Sequence, residues 1–293
     1  MQQKITPHLW FNDNAEEAAE FYTSLLPNSR IHGSSRYVPS AALRAQRPAG
    51  STMNVLFQMA GCQFMGLNGG PLFTFNPSVS FVIACDSEDE IHQLWDKLSH
   101  GGQTLMSLAA YPFAKKYGWC NDRFGLSWQL ILEKRPQKIR PALLFTKDLF
   151  GQARAALDHY TATFPDSSVE TVFEDPKSKA LAYASFALAG QEFMLMESSL
   201  NHEFGFSPAI SFLVSCATQA ELDQYWQKLS ANPKAEQCGW LNDKFGLAWQ
   251  IVPDSLDDMI LKSDDETRDR VMQVILQMKK LDLKAIAQAG GRQ

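Results

Sequence analysis

The sequence predicts an α+β protein built from four βαβββ-type modules, arranged as two tandem copies with a helical tail. Three observations carry this. The stretch GWCNDRFGLSWQ at 118–129 returns as GWLNDKFGLAWQ at 239–250, an internal duplication. Each copy twice shows a strand followed by an amphipathic helix and further strands. The 293 residues are too many for one ordinary core and suit two domains plus an extension. The expected boundaries are 1–135 and 138–256 for the two domains and 257–293 for the helical extension.

Taken in order, 5–11 reads as a strand closed by Asn12-Asp13. Asn14 and Glu17 have the spacing of a capping box. Ala18, Phe21, Tyr22 and Leu25 then make one apolar face, which Pro27-Asn28 stops. Residues 36–52, polar and rich in Arg and Pro, read as a strand and a long loop. Stretches 54–60 and 63–67 form a hairpin around Gly61, and 69–77 reads as a linker. The pattern restarts at 79–85. Ser87 and Glu90 make a second capping box, and Ile91, Leu94, Trp95 and Leu98 form the buried face of that helix. Gly101-Gly102 ends it, and strands lead to the hairpin at 118–129, a strand, a turn and a second strand.

Copy two repeats the plan. Pro141 and Phe145 stand where copy one has Pro7 and Phe11, and Tyr160 and Pro165 match Tyr22 and Pro27. Strand 211–216 precedes a helix bearing Thr218, Glu221, Leu222, Tyr225, Trp226 and Leu229. In the tail, Ser263 and Glu266 form another capping box before Val271, Val274, Ile275, Met278 and Leu281 at helical spacing. That stripe must be buried, on the chain's own body or on another chain. Residues 287–293 are expected to fray.

A net charge of −5 argues against nucleic-acid and anionic-membrane surfaces. Five cysteines, an odd number without a C-x-x-C pair, fit reduced thiols in a cytoplasmic protein. Cys85 and Cys216 occupy matching places in the two copies, as core residues would. No run approaches the length of a membrane span. Most tryptophans recur in both copies, which favours sheet packing. Trp10 does not recur, because Leu144 takes its place.

The motif G-W-x-N-D-x-F-G-x-x-W-Q, with Phe73-Thr74-Phe75-Asn76 and the second helix carrying Tyr and Trp, resembles the PhnB-like family. That family is labelled 3-demethylubiquinone-9 3-methyltransferase and lies in the vicinal oxygen chelate superfamily of glyoxalases and bleomycin-resistance proteins. The resemblance covers 5–132 and, more loosely, 138–252. It implies two glyoxalase-like domains fused in tandem. Single-domain relatives pair into dimers, so the chain is expected as a monomer with an internal pseudo-dimer or as a homodimer. Enzymes of the superfamily hold a divalent metal on the first and last strands of their modules. The implied positions are His8, Met65, Ser80 and Gln129 in copy one, and Ala142, Met194, Ser211 and Gln250 in copy two.

Only His8 among these is a good ligand. Glutamine is a weak neutral donor, methionine suits soft metals, and no carboxylate is present. No metal and no cofactor are therefore expected, with His8 the one candidate ligand. A methyltransferase would want a glycine-rich loop opening a helix, but Gly66-Leu67-Asn68-Gly69-Gly70 runs into Pro71. The expected function is metal-independent binding of a small, partly apolar molecule, with no enzyme activity assigned. His8, Trp10, Met65, Ser80 and Gln129, joined by Arg44, form the expected ligand-binding set. The alternative is a metal-dependent lyase, transferase or dioxygenase of the superfamily, and a methyltransferase is the less favoured third. The plainer readings are a satisfied polar residue for His8 and solvated loop arginines. The segment from Ile31 to Gly61 exceeds that from Val169 to Gly190 by about nine residues, enough for a binding loop. It carries Arg36, Arg44 and Arg47, whereas copy two carries Glu170, Glu174 and Asp175. An anionic ligand would be drawn to copy one, where function is expected to reside.

Overall fold

The computed structural model describes residues 3–256, 259–260 and 263–291. The chain forms two compact units, and each draws strands from both sequence copies. Unit 1 comprises Met1–Ser24, Asn28–Thr74 and Ser207–Gln293, and unit 2 comprises Leu25–Pro27 and Phe75–Phe206.

Unit 1 begins with β1 (Ile5–Phe11), α1 (Ala15–Thr23), β2 (Arg30–Arg36), α2 (Pro39–Ala45), β3 (Thr52–Met59) and β4 (Cys62–Asn68). Unit 2 follows along the chain. It holds β5 (Val79–Cys85), α3 (Glu88–Ser99), β6 (Gln103–Tyr111), β7 (Ala114–Asn121), β8 (Ser127–Leu132), β9 (Ile139–Phe145), α4 (Ala153–Thr163), β10 (Ser168–Glu174), β11 (Leu181–Leu188) and β12 (Gln191–Glu197). Unit 1 resumes with β13 (Ile210–Cys216), α5 (Gln219–Leu229), β14 (Trp240–Asn242), β15 (Ala248–Pro253), α6 (Asp265–Leu276) and α7 (Leu283–Ala289).

The unit 1 sheet runs β14-β15-β13-β1-β4-β3-β2, and the unit 2 sheet runs β10-β11-β12-β9-β5-β8-β7-β6. In each, two modules meet through their first strands, antiparallel: β1 on β13 and β5 on β9. The first module thus joins the fourth, and the second joins the third. Both junction strands are paired on both sides, which fits their nearly continuous burial. Three modules carry four strands. The fourth has three, because the stretch between Leu229 and Trp240 is about half as long as that between Leu98 and Trp119. The tail reaches this shortened region: Cys238 and Gly239 donate backbone N–H groups to the carbonyls of Met278 and Lys279, both at 2.8 Å. Those donors are thereby satisfied.

Alternation along β3 separates two faces. Met53, Val55, Phe57 and Met59 are buried, and Asn54 and Leu56 on the other face are half-buried. Phe57 stacks on Tyr22 of α1 and on Phe64, so this is the helix side. Such aromatic pairs add roughly 0.5–1.5 kcal/mol each beyond burial. The opposite, inner face carries His8, Met65 and Ser211 in register.

Local details depart from the sequence reading in four places. α1 is capped by the Asn68 side chain, which accepts from Ala15 N–H at 2.9 Å, while Asn14 makes no side-chain cap. Stretch 36–52 contains α2, started by Pro39 at a position where a missing N–H costs nothing. The tail's cap is Asp264, not Ser263, and accepts from Thr267 N–H at 2.7 Å. Among the described residues the tail continues beyond α6 into α7, whose last turn covers 287–289, where fraying was expected; 292–293 lie outside the described residues. The Ser87 and Thr218 caps form as expected. Of the tail stripe, Val271, Ile275 and Leu281 are buried within the chain, and Met272, outside that stripe, packs against the cluster of Tyr37, Val38, Ala41, Ala42 and Met53. No described helix is long and apolar enough to cross a membrane.

Candidate functional site

The duplicated motif builds a turn. Asp122 Oδ1 accepts from the N–H groups of Phe124 (2.8 Å) and Leu126 (3.0 Å), and its Oδ2 accepts from the Trp128 indole at 2.8 Å. Asp243 does the same with Phe245, Leu247 and Trp249 at 2.8, 3.0 and 2.9 Å. Both aspartates are buried, so three donors offset the desolvation of each carboxylate. Gly125 and Gly246, with φ of 85° and 82°, complete the turns in a conformation that disfavours side chains. The motif's aspartate and its second tryptophan are thus committed to the turn.

On the inner face of unit 1, His8 lies beside Met65 on β4 and Ser211 on β13. Gln250 donates to Ser211 Oγ at 2.9 Å. The imidazole meets the Trp240 ring edge-on at 5.5 Å, and its Nδ1 is buried without a hydrogen-bond partner. Burial lowers its pKa to about 3, so the ring is neutral at physiological pH. Ile260 of the C-terminal extension closes over Asn54, Leu56 and Met65, leaving about 20 Å³. That is room for no more than a single water.

Ser80 and Gln129 belong to unit 2, which corrects the single expected cleft. The reason is the strand pairing: β1 joins β13, and β5 joins β9. In unit 2, Gln129 donates to Ser80 Oγ and accepts from the Tyr117 hydroxyl, both at 2.7 Å. Beside them, Val82, Ala142 and Met194 form a core packed by Ile131, Tyr183 and Met196. The sequence reading missed Arg140, a buried cation ion-paired with Glu133 and 4.0 Å from Glu192. A lone Arg within an apolar strand was the available signal.

Trp10 does line a cavity. Two residues beyond His8 on the same face, it bounds a pocket of about 660 Å³ with Tyr37, Leu67, Leu72, Arg44 and Arg47. Trp10 donates its indole N–H to the Gly70 carbonyl at 2.8 Å and meets Phe73 edge-on at 5.0 Å. Gly69 is required beneath it, because a Cβ there would overlap the indole. Tyr37 donates its hydroxyl to the Asn68 carbonyl at 2.9 Å. Of the six expected residues, Trp10 and Arg44 therefore share a pocket, and His8 and Met65 lie deeper on the same sheet. A larger, open groove of about 1430 Å³ runs along α2 and α6, lined by Arg44, Arg270 and four glutamines together with Leu43, Val274, Leu276 and Met278.

Paired βαβββ modules define a vicinal-oxygen-chelate, glyoxalase-like fold. Glyoxalase I from Zea mays shares this fold at 11% identity, covering 86% of this chain and 94% of that one, with a TM-score of 0.53. The family model for 3-demethylubiquinone-9 3-methyltransferase matches residues 3–131 and again 137–252, and the chain belongs to that PhnB-like family. A Bacillus cereus PhnB protein carrying the same label is 41% identical over 45% of this chain and all of its own, with a TM-score of 0.41. A Staphylococcus aureus protein is 29% identical over 46% of this chain and all of its own, with a TM-score of 0.19. No curated protein matches the chain.

The superfamily's metal does not fit these residues. Unit 1 offers His8, Met65, Ser211 and Gln250, and unit 2 offers Ala142, Met194, Ser80 and Gln129. The two Gln–Ser pairs are hydrogen-bonded to each other, and only His8 is a strong donor. Among the described residues no group of three His, Cys, Asp or Glu could hold an ion. A nucleotide-type cofactor cradle does not fit the glycine stretch either. Gly66 lies within β4, Gly69 accommodates Trp10, and Asn68 caps α1.

Proposed function

We propose that the protein binds a small, partly apolar organic molecule, without a metal, in the pocket beside Trp10. One observation carries the reading: a cavity of about 660 Å³ walled by Trp10, Tyr37 and Leu67, with few polar groups and in the size range of small-molecule sites. The donor chemistry at His8, Met65, Ser211 and Gln250 supports metal independence. The cysteines, none of them in a disulfide among the described residues, are compatible with a cytoplasmic setting.

The test is native mass spectrometry and elemental analysis of protein purified without a metal-chelating resin. The expected result is a retained small-molecule mass, lost in Trp10→Ala, and no stoichiometric Zn, Ni, Mn or Fe. About one metal per chain, lost in His8→Ala, would overturn the reading in favour of a metal-dependent lyase, transferase or dioxygenase.

A further inference from the structure

We infer that the ligand of the Trp10 pocket is a flat, unsaturated molecule bearing an oxyanion, whose charged end is held by Arg44 and Arg47; this rests on the small-molecule reading of that pocket. The argument is an accounting of its polar groups. The Trp10 indole N–H is committed to the Gly70 carbonyl, and the Tyr37 hydroxyl is committed to the Asn68 carbonyl. Both rings therefore present apolar surface, and Leu67, Leu72, Ala45 and Pro71 add more. The remaining side-chain donors in the lining are Arg44, Arg47 and the Gln46 amide.

No ion pair or side-chain hydrogen bond engages Arg44 or Arg47 among the described residues, and Arg47 Nε is buried without a partner. A buried guanidinium N–H without an acceptor is costly, and an incoming oxygen would remove that cost. Arg36, the third arginine of this segment, is different: it donates to the Gly50 carbonyl at 2.8 Å and lies outside the pocket lining. No acidic side chain lines the pocket among the described residues. Two planar guanidinium forks and two aromatic rings in one lining match a carboxylate or phosphate on a flat body.

The test uses the full chain with three probes: naphthalene-2-carboxylate, naphthalene-2-carboxamide and 2-naphthyl phosphate, titrated by calorimetry. The carboxylate or the phosphate should bind about tenfold or more tighter than the carboxamide, as a charge-assisted bond implies. The double variant Arg44→Gln with Arg47→Gln should abolish that preference, bringing both anions to within about twofold of the carboxamide measured in the same variant. The stronger of the two anions then identifies the source of the oxyanion. Carboxamide binding as tight as both anions, or a preference that survives in the double variant, overturns the oxyanion inference and leaves the small-molecule reading standing. If no probe binds and no small molecule co-purifies, that reading fails and the inference fails with it.

Discussion

The two units pair their modules in the same way, and their inner faces differ along one strand of each. β1 carries Thr6, His8 and Trp10 where β9 carries Arg140, Ala142 and Leu144, and register confirms the equivalence: His8 pairs with Met65 and Ser211, and Ala142 with Met194 and Ser80. In unit 2 the small Ala142 lets Met194 and Val82 close into a core, and Arg140 is buried among carboxylates. In unit 1 a neutral imidazole leads to an indole at the edge of a pocket. The insertion in the same unit adds α2, which brings Arg44 to that pocket. The inner face is thus packed at Ala142 in unit 2, while in unit 1 the same strand leads to a cavity at Trp10.

The largest expected effect tests how the units are composed. Asp122→Ala and Asp243→Ala each leave three N–H donors without an acceptor in a buried turn. Each should cost roughly 3–5 kcal/mol, comparable to breaking one partner of a buried ionic group. Hydrogen exchange locates the damage. Asp122→Ala should lower protection in 75–206, and Asp243→Ala should lower it in 5–11 and 52–68 as well as 210–253. If Asp243→Ala spared β1 to β4 and loosened β9 to β12 instead, the units would follow the sequence copies and the comparison would break.

Most elements were legible because burial imposes periodicity. The capped helices α3 and α5, the hairpins and the duplicated turn all appear in local sequence. The equivalent inner-face positions came from the family resemblance rather than from periodicity. Which module pairs with which was not legible, because β1 and β5 are both apolar strands and nothing local tells β1 to choose β13. Grouping Ser80 and Gln129 with His8 failed for that reason. α2 was hidden by its Pro and Arg content, since its stability comes from the Met272 contact and the tail. The pocket was half legible: Trp10 broke the repeat and Arg44 lay in an insertion, but Tyr37, Leu67 and Gly69 gave no signal.

The next effect is a pH dependence confined to unit 1. His8 has its pKa lowered to about 3 by burial, against an ordinary value of 6.5. Between these values the unfolded chain binds a proton that the folded chain does not, so this residue removes stability as pH falls. From pH 7 to pH 5 the loss should be roughly 2 kcal/mol. Denaturant melts of wild type and His8→Leu at both pH values isolate it from the carboxylates, which both proteins share. Ala142, the unit 2 counterpart, has nothing to titrate. Equal pH dependence in the two proteins would show that His8 is not the neutral, desolvated group described.

A smaller effect concerns the tail's hold on the arginine-bearing helix. Asp269 of α6 accepts the Ser40 N–H at 2.9 Å, serving as a cap from another element for the first turn of α2. Asp269→Ala should cost up to about 2 kcal/mol, as loss of an N-cap does. Binding of naphthalene-2-carboxylate should weaken, because Arg44 loses its support, with carboxamide binding less affected. Unchanged binding would mean that α2 is held by its apolar cluster alone.

The smallest effect should be the same in both units. Gly125 and Gly246 have φ of 85° and 82°, and a Cβ at either would meet nothing within 4 Å. Space is therefore not the constraint, and the cost of alanine comes from backbone conformation alone, at about 1 kcal/mol each. Both turns rest on the same aspartate and tryptophan hydrogen bonds, so the two substitutions should agree within measurement error. Chemical denaturation of Gly125→Ala and Gly246→Ala provides the measurement. A clear inequality would show that the duplicated turn has diverged in its energetics as the inner faces have, and that the difference between the units reaches beyond β1, β9 and the α2 insertion.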